Sequence, residues 1–207
     1  MCSVTEQSQT SIRPGDNVLV CCPSFTGAEP RACLDLLTPD GSTDVHALSV
    51  LFTQSPGDHV DAWQRIAGAY PTRMRIVAVD ADARSDRTDE TAGPDADRSV
   101  ERVGSPHNLT RLGIRVADCL DEWDGSAETV VVCFQSLTTL LQYVDVESAV
   151  EFLDVVTERC AATDAVAHYH LDPEAHDDET IDRLSELFET TLRFDDGEWT
   201  VRAGGEE

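Results

Sequence analysis

Short apolar runs alternate with stretches of helical spacing along most of this chain. The runs are rich in β-branched residues, which is typical of strands buried on both faces of a sheet. They predict strands at residues 17–22, 46–53, 73–80, 129–134 and 165–170. The helical spacing predicts helices at residues 29–37, 58–69, 109–123, 146–160 and 178–190. Because strands and helices alternate, the pattern predicts an α/β fold whose sheet is mostly parallel.

A different pattern ends the chain. Residues 192–194 and 199–201 alternate apolar and polar side chains, and the segment Asp195-Asp196-Gly197 separates them. An aspartate followed by a glycine between alternating runs is a strong signal for a tight turn between antiparallel strands. The sequence therefore predicts a C-terminal β-hairpin added to the parallel sheet.

The predicted domain organisation follows from the places where large apolar side chains are scarce. Residues 81–106 contain almost none, and such a segment cannot bury enough surface to offset the entropy of ordering it. We expect a mobile acidic loop there, within one α/β domain that spans residues 16–203. Residues 1–15 and 204–207 are expected to be flexible ends.

The charge of the chain restricts its partners. It carries 40 acidic residues against 15 basic ones, all of them arginine, for a net charge of −25. Nucleic-acid affinity comes mainly from cationic side chains that release condensed counterions, so nucleic acid is excluded as a partner. The sequence shows no membrane-spanning run and no signal peptide, so we expect a cytoplasmic protein without a membrane partner. An acidic, lysine-free surface is typical of extreme halophiles, whose molar salt screens self-repulsion.

The seven cysteines lie mostly in apolar runs, as Cys21, Cys22, Cys33 and Cys133 illustrate. This pattern is typical of small buried hydrophobic side chains in a reducing compartment. The sequence contains no CxxC pair, so the usual zinc-ribbon and thioredoxin motifs are not present.

The turn after the first predicted strand is where phosphate binds in many α/β folds. A phosphate-binding loop of the pattern G-x-x-x-x-G-K-[ST] needs two glycines, a lysine and a hydroxyl. Here Cys22 stands at the first glycine and Gly27 keeps the second, while Ala28 replaces the lysine and Glu29 replaces the hydroxyl. The carboxylate of Glu29 would repel a phosphate. Arg31, one helical step further, is expected to point elsewhere, so the turn is predicted to be a vestigial nucleotide-binding site.

A family resemblance is carried by the run VVVCFQSLTTLLQYVDVESAVEFLDVV and the following AVAHYHLDPEAHD. These segments resemble the second nucleotide motif and the next strand of RecA-superfamily ATPases of the KaiC/GvpD type, above all their divergent haloarchaeal members. The resemblance covers residues 16–203, and its specificity is concentrated in residues 129–176. It implies a three-layer RecA-like fold, similar to that of P-loop NTPases.

The resemblance also implies that catalytic groups are missing. Members place a magnesium-orienting aspartate directly before a Ser-Leu-Thr segment, where this chain has Gln135 before Ser136. They place a catalytic glutamate after the second strand, where this chain has Gln54 and Ser55. Ser136 lacks the flanking glycines of a hydrolase nucleophile elbow, which favours a helix-capping role. We therefore expect a pseudo-ATPase, a non-catalytic regulatory or protein-interaction module that needs no cofactor and that binds a protein partner or forms a homo-oligomer.

Two alternatives stay open at this point. The chain could bind Mg·ATP as a RecA-type ATPase with non-standard ligands. It could also bind a metal in the segment HYHLDPEAH, because His168 and His170 share one face of a predicted strand and Asp172 and His176 follow closely. The other interpretation of the two strand histidines is that they are core residues with hydrogen-bonded neighbours.

Overall fold

The computed structural model of the chain describes residues 12–24, 26–80 and 97–203. It has an α/β fold. The strands are β1 (Asn17–Cys21), β2 (Val45–Leu51), β3 (Arg73–Val79), β4 (Arg98–Val103), β5 (Thr129–Phe134), β6 (Val166–Leu171), β7 (Thr190–Asp195) and β8 (Glu198–Ala203). The helices are α1 (Glu29–Leu37), α2 (Pro56–Ala67), α3 (Leu109–Trp123), α4 (Leu137–Leu140), α5 (Val146–Ala162) and α6 (Asp178–Ser185). Short 3₁₀ helices lie at Pro39–Gly41 and Pro173–Ala175.

The eight described strands form one sheet in the order β4-β3-β2-β5-β6-β1-β7-β8. Strands β1 to β7 pair in parallel, and β8 runs antiparallel to β7. The turn between β7 and β8 contains Asp196 and Gly197, whose φ angles of 47° and 87° are the positive values that a tight two-residue hairpin turn requires. The predicted mostly parallel sheet and C-terminal hairpin are therefore confirmed.

Helices cover both faces of the sheet, which explains why its central strands are apolar on both sides. On one face, α1 and α2 bring Leu34, Leu37 and Trp63 into a core cluster with strand side chains. On the other face, side chains of α3, α5 and α6 pack against the same strands in a second cluster. Every residue of β1, β2 and β6 is buried.

Part of the predicted mobile loop at residues 81–106 is a strand instead. β4 pairs with β3 from Met74 opposite Arg98 to Val79 opposite Val103. The prediction was wrong here because β4 is an edge strand with the largely polar sequence RSVERV, in which Val103 is buried and the other side chains are half-buried. Residues 81–96 of the predicted loop lie outside the described residues.

The last predicted helix is shorter than its apolar spacing indicates. α6 ends at Ser185, and Leu187 and Phe188 pack against the core from the turn that leads into β7. The helix stops there because the next residues begin to pair with β1: the amide of Glu189 donates to the carbonyl of Asn17 at 3.1 Å.

The predicted flexible ends fall mostly outside the described residues. Of residues 1–15, the structure describes 12–15, where the amide of Asp16 donates to the carbonyl of Arg13 at 3.0 Å and closes a turn. Residues 1–11 and 204–207 are not among those described. Within the described part of the chain, no helix has both the length and the apolar character needed to cross a membrane.

Candidate functional site

The carboxyl ends of β2, β5, β6 and β1 are neighbours at one edge of the sheet. In open α/β sheets, ligands bind outside the carboxyl ends of the strands. Both groups of predicted site residues reach this edge: Cys22 follows β1, Gln135 follows β5, and His170 lies near the end of β6. The edge is therefore the candidate functional site.

The turn after β1 is closed by its own polar groups. Cys22 is buried, its Sγ lies 3.4 Å from Thr26 Oγ1, and that hydroxyl donates to the carbonyl of Pro23 at 2.9 Å. Gly27 has a φ of 69°, which favours glycine, so the turn geometry explains the retained glycine. Ala28 precedes α1 without a side-chain capping bond. The strand–turn–helix shape is thus present without a cationic side chain in the turn.

An internal carboxylate binds the donors of this turn. Asp172 Oδ2 accepts hydrogen bonds from the amide nitrogen of Ser24 at 3.1 Å and from its hydroxyl at 2.6 Å. Asp172 Oδ1 accepts from the amide of Glu174 at 3.0 Å. Desolvation raises the pKa of Asp172, but these hydrogen bonds outweigh it and hold the pKa below its ordinary value. The amide and the hydroxyl of Ser24 are therefore both bound to Asp172 within the fold.

A second carboxylate lies at the start of α1. Glu29 is the first residue of the helix, and its Oε1 lies 3.5 Å from Nδ1 of His170. Burial raises the pKa of Glu29, while His170 opposes this shift. Arg31 points away as predicted, because its Nε donates to Asp35 Oδ1 at 2.8 Å on the same helix. The start of α1 therefore presents an acid, and the nearby arginine is held by its own helix.

Gln135 joins the ends of two strands. Its Oε1 accepts from the amides of Phe52 at 2.9 Å and Thr53 at 3.2 Å, and its Nε2 donates to Thr53 Oγ1 at 3.0 Å. The next residue, Ser136, caps α4 by accepting from the amide of Thr139 at 3.0 Å. The predicted capping role of Ser136 is confirmed, and both side chains are used within the fold.

Gln54 and Ser55, which stand where the family resemblance implies a catalytic glutamate, also make contacts within the fold. Ser55 caps α2 by accepting from the amide of Asp58 at 3.1 Å. Gln54 Oε1 lies 3.2 Å from Nδ1 of the buried His59, whose Nε2 lies 2.9 Å from Ser49 Oγ. Burial lowers the pKa of His59.

Two histidines and two cysteines form a second cluster beside these residues. His168 and His170 lie on the same face of β6, with ring centroids 5.1 Å apart. Cys133 on β5 is the pairing partner of His168, and Cys33 approaches from α1. Cys33 Sγ lies 3.3 Å from Cys133 Sγ and 3.5 Å from His168 Nε2. One ligand atom from each of the four residues lies within 4.8 Å of the others.

The protonation states within this cluster depend on each other. The hydrogen bond from Cys133 lowers the pKa of Cys33 well below its ordinary value, and the same bond raises the pKa of Cys133 well above it. Burial lowers the pKa of His168. Burial also acts to lower the pKa of His170, but Cys33 and Glu29 raise it above its ordinary value overall. The pKa values of the two thiols are therefore linked through their shared hydrogen bond, and that of His170 responds to Cys33 and Glu29.

The cluster includes two of the three predicted metal-binding histidines. His176 lies apart from it, with Nε2 3.1 Å from Thr138 Oγ1, and burial lowers its pKa. Cys33 and Cys133 were not predicted as partners of the histidines, because Cys33 lies 100 positions before Cys133 and 135 before His168 and no short spacing motif joins them. A signal was available, because pairing the predicted strands 129–134 and 165–170 brings Cys133 opposite the histidines.

A cavity of about 210 Å³ joins the two groups of residues. Its lining includes Glu29 and Gln135 from the predicted vestigial nucleotide site, Cys33 and His170 from the cluster, and His59. The two sets predicted separately from the sequence therefore form one continuous site.

The sequence pattern of a family of unknown function, DUF7504, matches residues 15–194 of the chain. No curated protein matches it. Among solved structures, it is similar to the Pyrococcus horikoshii OT3 protein of the structural study of Project ID PH0250. The TM-score is 0.58 at 12% sequence identity, and the similarity covers 94% of this chain and 89% of that one. At this identity the likeness shows the shared α/β fold alone.

Proposed function

This chain belongs to DUF7504, a family of unknown function, and we propose that it is a RecA-like module of the KaiC/GvpD type that regulates or binds a protein partner without hydrolysing ATP. The RecA-like part of this proposal rests on the sequence resemblance, together with the parallel sheet covered by helices on both faces.

The observation that carries the proposal is the pair formed by Asp172 and Ser24. A phosphate-binding turn works through free N–H and O–H donors and the positive end of the following helix. Here the amide and hydroxyl of Ser24 already donate to the carboxylate of Asp172. A nucleotide phosphate would have to displace this carboxylate from its donors.

Electrostatic repulsion acts in the same direction. Glu29 stands at the start of α1, where a phosphate-binding loop places a hydroxyl that holds magnesium. Two like unit charges about 4 Å apart repel each other by about 4 kcal/mol at an effective dielectric constant near 20. Asp172 and Glu29 together therefore disfavour a triphosphate at this turn.

Gln135 also leaves a requirement of ATP hydrolysis unmet. Its side chain holds the ends of β2 and β5 together through three hydrogen bonds. A neutral amide is a poor substitute for the carboxylate that orients Mg²⁺ in P-loop enzymes. The amide supports a structural role for this position.

The α3–α5 face is the surface proposed for a partner. Ile114 on α3 and Val155 on α5 expose 51% and 65% of their surface, which makes them the most exposed large hydrophobic side chains among the described residues. Exposed carboxylates of Asp118, Asp154 and Glu158 lie on the same two helices. A protein segment with an apolar residue flanked by arginines or lysines would complement this face in hydrophobicity and charge.

The experiment that tests the loss of nucleotide chemistry is a thermal-shift titration with Mg·ATP in molar KCl, with phosphate release measured in parallel. A ligand present at about 100 times its Kd stabilises the folded state by about 2.7 kcal/mol. We expect no saturable shift at millimolar Mg·ATP and no phosphate above the buffer control. A saturable shift would overturn the displaced-phosphate argument, and turnover would overturn the pseudo-ATPase proposal as a whole.

A further inference from the structure

Three separate elements bring soft ligand groups to one buried point. Cys33 comes from α1, Cys133 from β5, and His168 and His170 from β6. The pairing of β5 with β6 sets Cys133 opposite His168, and the alternation of side chains along a strand puts His170 on the same face. The arrangement is therefore fixed by the sheet register and by the docking of α1.

The distances agree with a tetrahedral metal site. Zinc–sulfur bonds of about 2.3 Å and zinc–nitrogen bonds of about 2.0 Å put a sulfur and a nitrogen about 3.5 Å apart in a tetrahedron, and two sulfurs about 3.8 Å apart. Cys33 Sγ and His168 Nε2 are 3.5 Å apart, and the two Sγ atoms are 3.3 Å apart. All four ligand atoms lie within 4.8 Å, so small side-chain rotations suffice to close the site.

Buried ring nitrogens that make no hydrogen bond provide a second observation. His168 is fully buried and His170 is 3% exposed. Within the described residues, Nδ1 of His168 and both ring nitrogens of His170 make no hydrogen bond, and the Glu29 carboxylate lies 3.5 Å from Nδ1 of His170. Buried polar atoms are rarely left unsatisfied unless an ion, a water or a functional role explains them. A metal ion at the centre of the cluster explains why two histidines face each other in the core.

We propose that Cys33, Cys133, His168 and His170 form a tetrahedral Zn²⁺ site at the floor of the cavity. Two thiolates with two imidazoles favour Zn²⁺ over hard cations such as Mg²⁺ and Ca²⁺. In this site His170 binds through Nε2 and turns Nδ1 towards Glu29, whose Oε1 lies 3.5 Å away. A carboxylate behind a metal-binding histidine orients the ring and increases its basicity.

The proposed zinc site does not depend on nucleotide binding, so its test is independent of the proposed loss of ATPase activity. Four protein ligands leave no open position for a substrate, which is typical of zinc sites that stabilise a fold. The ion would tie α1 to β5 and β6, the two strands beneath it. Its role is therefore to fix the first helix on the sheet at the candidate site.

The test is a Co²⁺ titration of the full chain, fully reduced with a phosphine, in molar KCl. Co²⁺ replaces Zn²⁺ in tetrahedral sites and reports its ligands through visible d–d bands and a near-ultraviolet thiolate charge-transfer band. We expect both bands to saturate at one ion per chain and to disappear when Zn²⁺ is added. Reduced, folded protein that gives neither band would overturn the site.

Variants assign the ligands. Cys33 is half-buried and lines the cavity, so Cys33→Ala is expected to fold, to lose about half of the charge-transfer intensity per bound Co²⁺, and to bind Zn²⁺ at least about 100-fold more weakly. His170→Gln is expected to lose affinity to a similar degree and to keep the thiolate band.

The matched control is Cys160→Ala, which removes a buried thiol outside the cluster. The hydroxyl of Tyr169, which lies 3.8 Å from Cys160 Sγ, keeps its hydrogen bond to Asn17 Oδ1 at 3.1 Å. This variant should keep the wild-type spectrum and affinity. Full charge-transfer intensity in Cys33→Ala would overturn the ligand assignment.

Discussion

The carboxylate of Asp172 accepts hydrogen bonds from both the amide and the hydroxyl of Ser24, although 148 positions separate the two residues. This pair joins the turn after β1 to the end of β6. Its two hydrogen bonds hold the ends of β1 and β6 together and occupy both donors of Ser24.

Removal of this carboxylate should loosen the turn without creating a nucleotide site. Hydrogen bonds to charged groups contribute about 1.5–3 kcal/mol each when buried, and partial exposure reduces this value, so we expect Asp172→Ala to lower the free energy of unfolding by about 1–2 kcal/mol. Denaturant unfolding in molar KCl measures the loss. Ser24→Ala removes the hydroxyl and keeps the hydrogen bond from the backbone amide, so it should lower the free energy of unfolding by less than Asp172→Ala does. Equal losses of stability would contradict the role assigned to the amide.

Variants of Gln135 test the proposal that this position, where the family resemblance implies a magnesium-orienting aspartate, has a structural role. Gln135→Glu keeps an acceptor for the amides of Phe52 and Thr53 and removes the donor to Thr53 Oγ1, whereas Gln135→Ala removes all three hydrogen bonds. We expect Gln135→Ala to lose about 1–3 kcal/mol of stability because it leaves amides unpaired, and Gln135→Glu to lose less. Neither variant should hydrolyse ATP. Phosphate release by Gln135→Glu would show that one carboxylate is enough to restore the chemistry.

Much of the fold could be predicted because its strands are continuous apolar runs. Residues 129–134 and 109–123 were predicted as a strand and a helix, and β5 and α3 have these same bounds. β4 was not predicted, because an edge strand with charged side chains has no apolar signal and forms through pairing with β3. Sequence periodicity identifies buried elements, and edge elements need the sheet order.

Some residues of the candidate site could be predicted from the sequence and others could not. Gln135, Ser136 and the turn at Glu29 could be predicted because a motif fixes their places along the chain. The association of Cys33 with Cys133 could not, because it depends on β5 lying beside β6 and on α1 covering that face. Two residues 100 positions apart become neighbours through tertiary structure, and no local spacing encodes this.

Glu29 should affect metal affinity without being a ligand. Its carboxylate faces Nδ1 of His170, and loss of such a group lowers metal affinity by about 10–100-fold in known sites. We expect Glu29→Gln to keep the shape of the Co²⁺ spectrum and to weaken Zn²⁺ binding within that range, measured by competition with a chelator. Asp58→Asn, on the neighbouring α2, serves as the matched change of charge and should keep the wild-type affinity. Unchanged affinity in Glu29→Gln would contradict the orienting role.

Val155 should matter for association and hardly at all for stability. Because its side chain is 65% exposed, Val155→Asp is expected to keep the unfolding midpoint of the wild type. The measurement is crosslinking in cell extract at high salt. Val155→Asp should lose the proteins that crosslink to the wild type. The control Val201→Asp, which alters an exposed valine of β8, should keep them. Equal loss or equal retention in the two variants would contradict the α3–α5 surface. If the wild type is a dimer and Val155→Asp is a monomer, the partner at this surface is a second copy of the chain and not a basic protein segment.

His46 should give the folded protein a pH dependence of its own. The ring is buried against Trp123, with centroids 5.1 Å apart, and burial lowers its pKa although Glu128 lies 3.7 Å away and opposes the shift. The charges of Arg73, Asp97 and Glu122 also act on this ring. As the pH falls through the ordinary histidine pKa of about 6.5, His46 becomes protonated in the unfolded chain while it is still neutral in the folded chain. The unfolded state then holds more protons, so stability falls as the pH falls.

The measurement is the free energy of unfolding of wild type and His46→Gln between about pH 8 and about pH 5.5, the range around the ordinary histidine pKa. The contribution of one group to the slope cannot exceed about 1.4 kcal/mol per pH unit. We expect the variant to lose less stability on acidification than the wild type, and the difference to vanish above about pH 7.5, where His46 is neutral in both states. His107→Gln, at an exposed position, controls for the substitution itself. Parallel curves for wild type and His46→Gln would show that the ring titrates alike in the folded and unfolded chains.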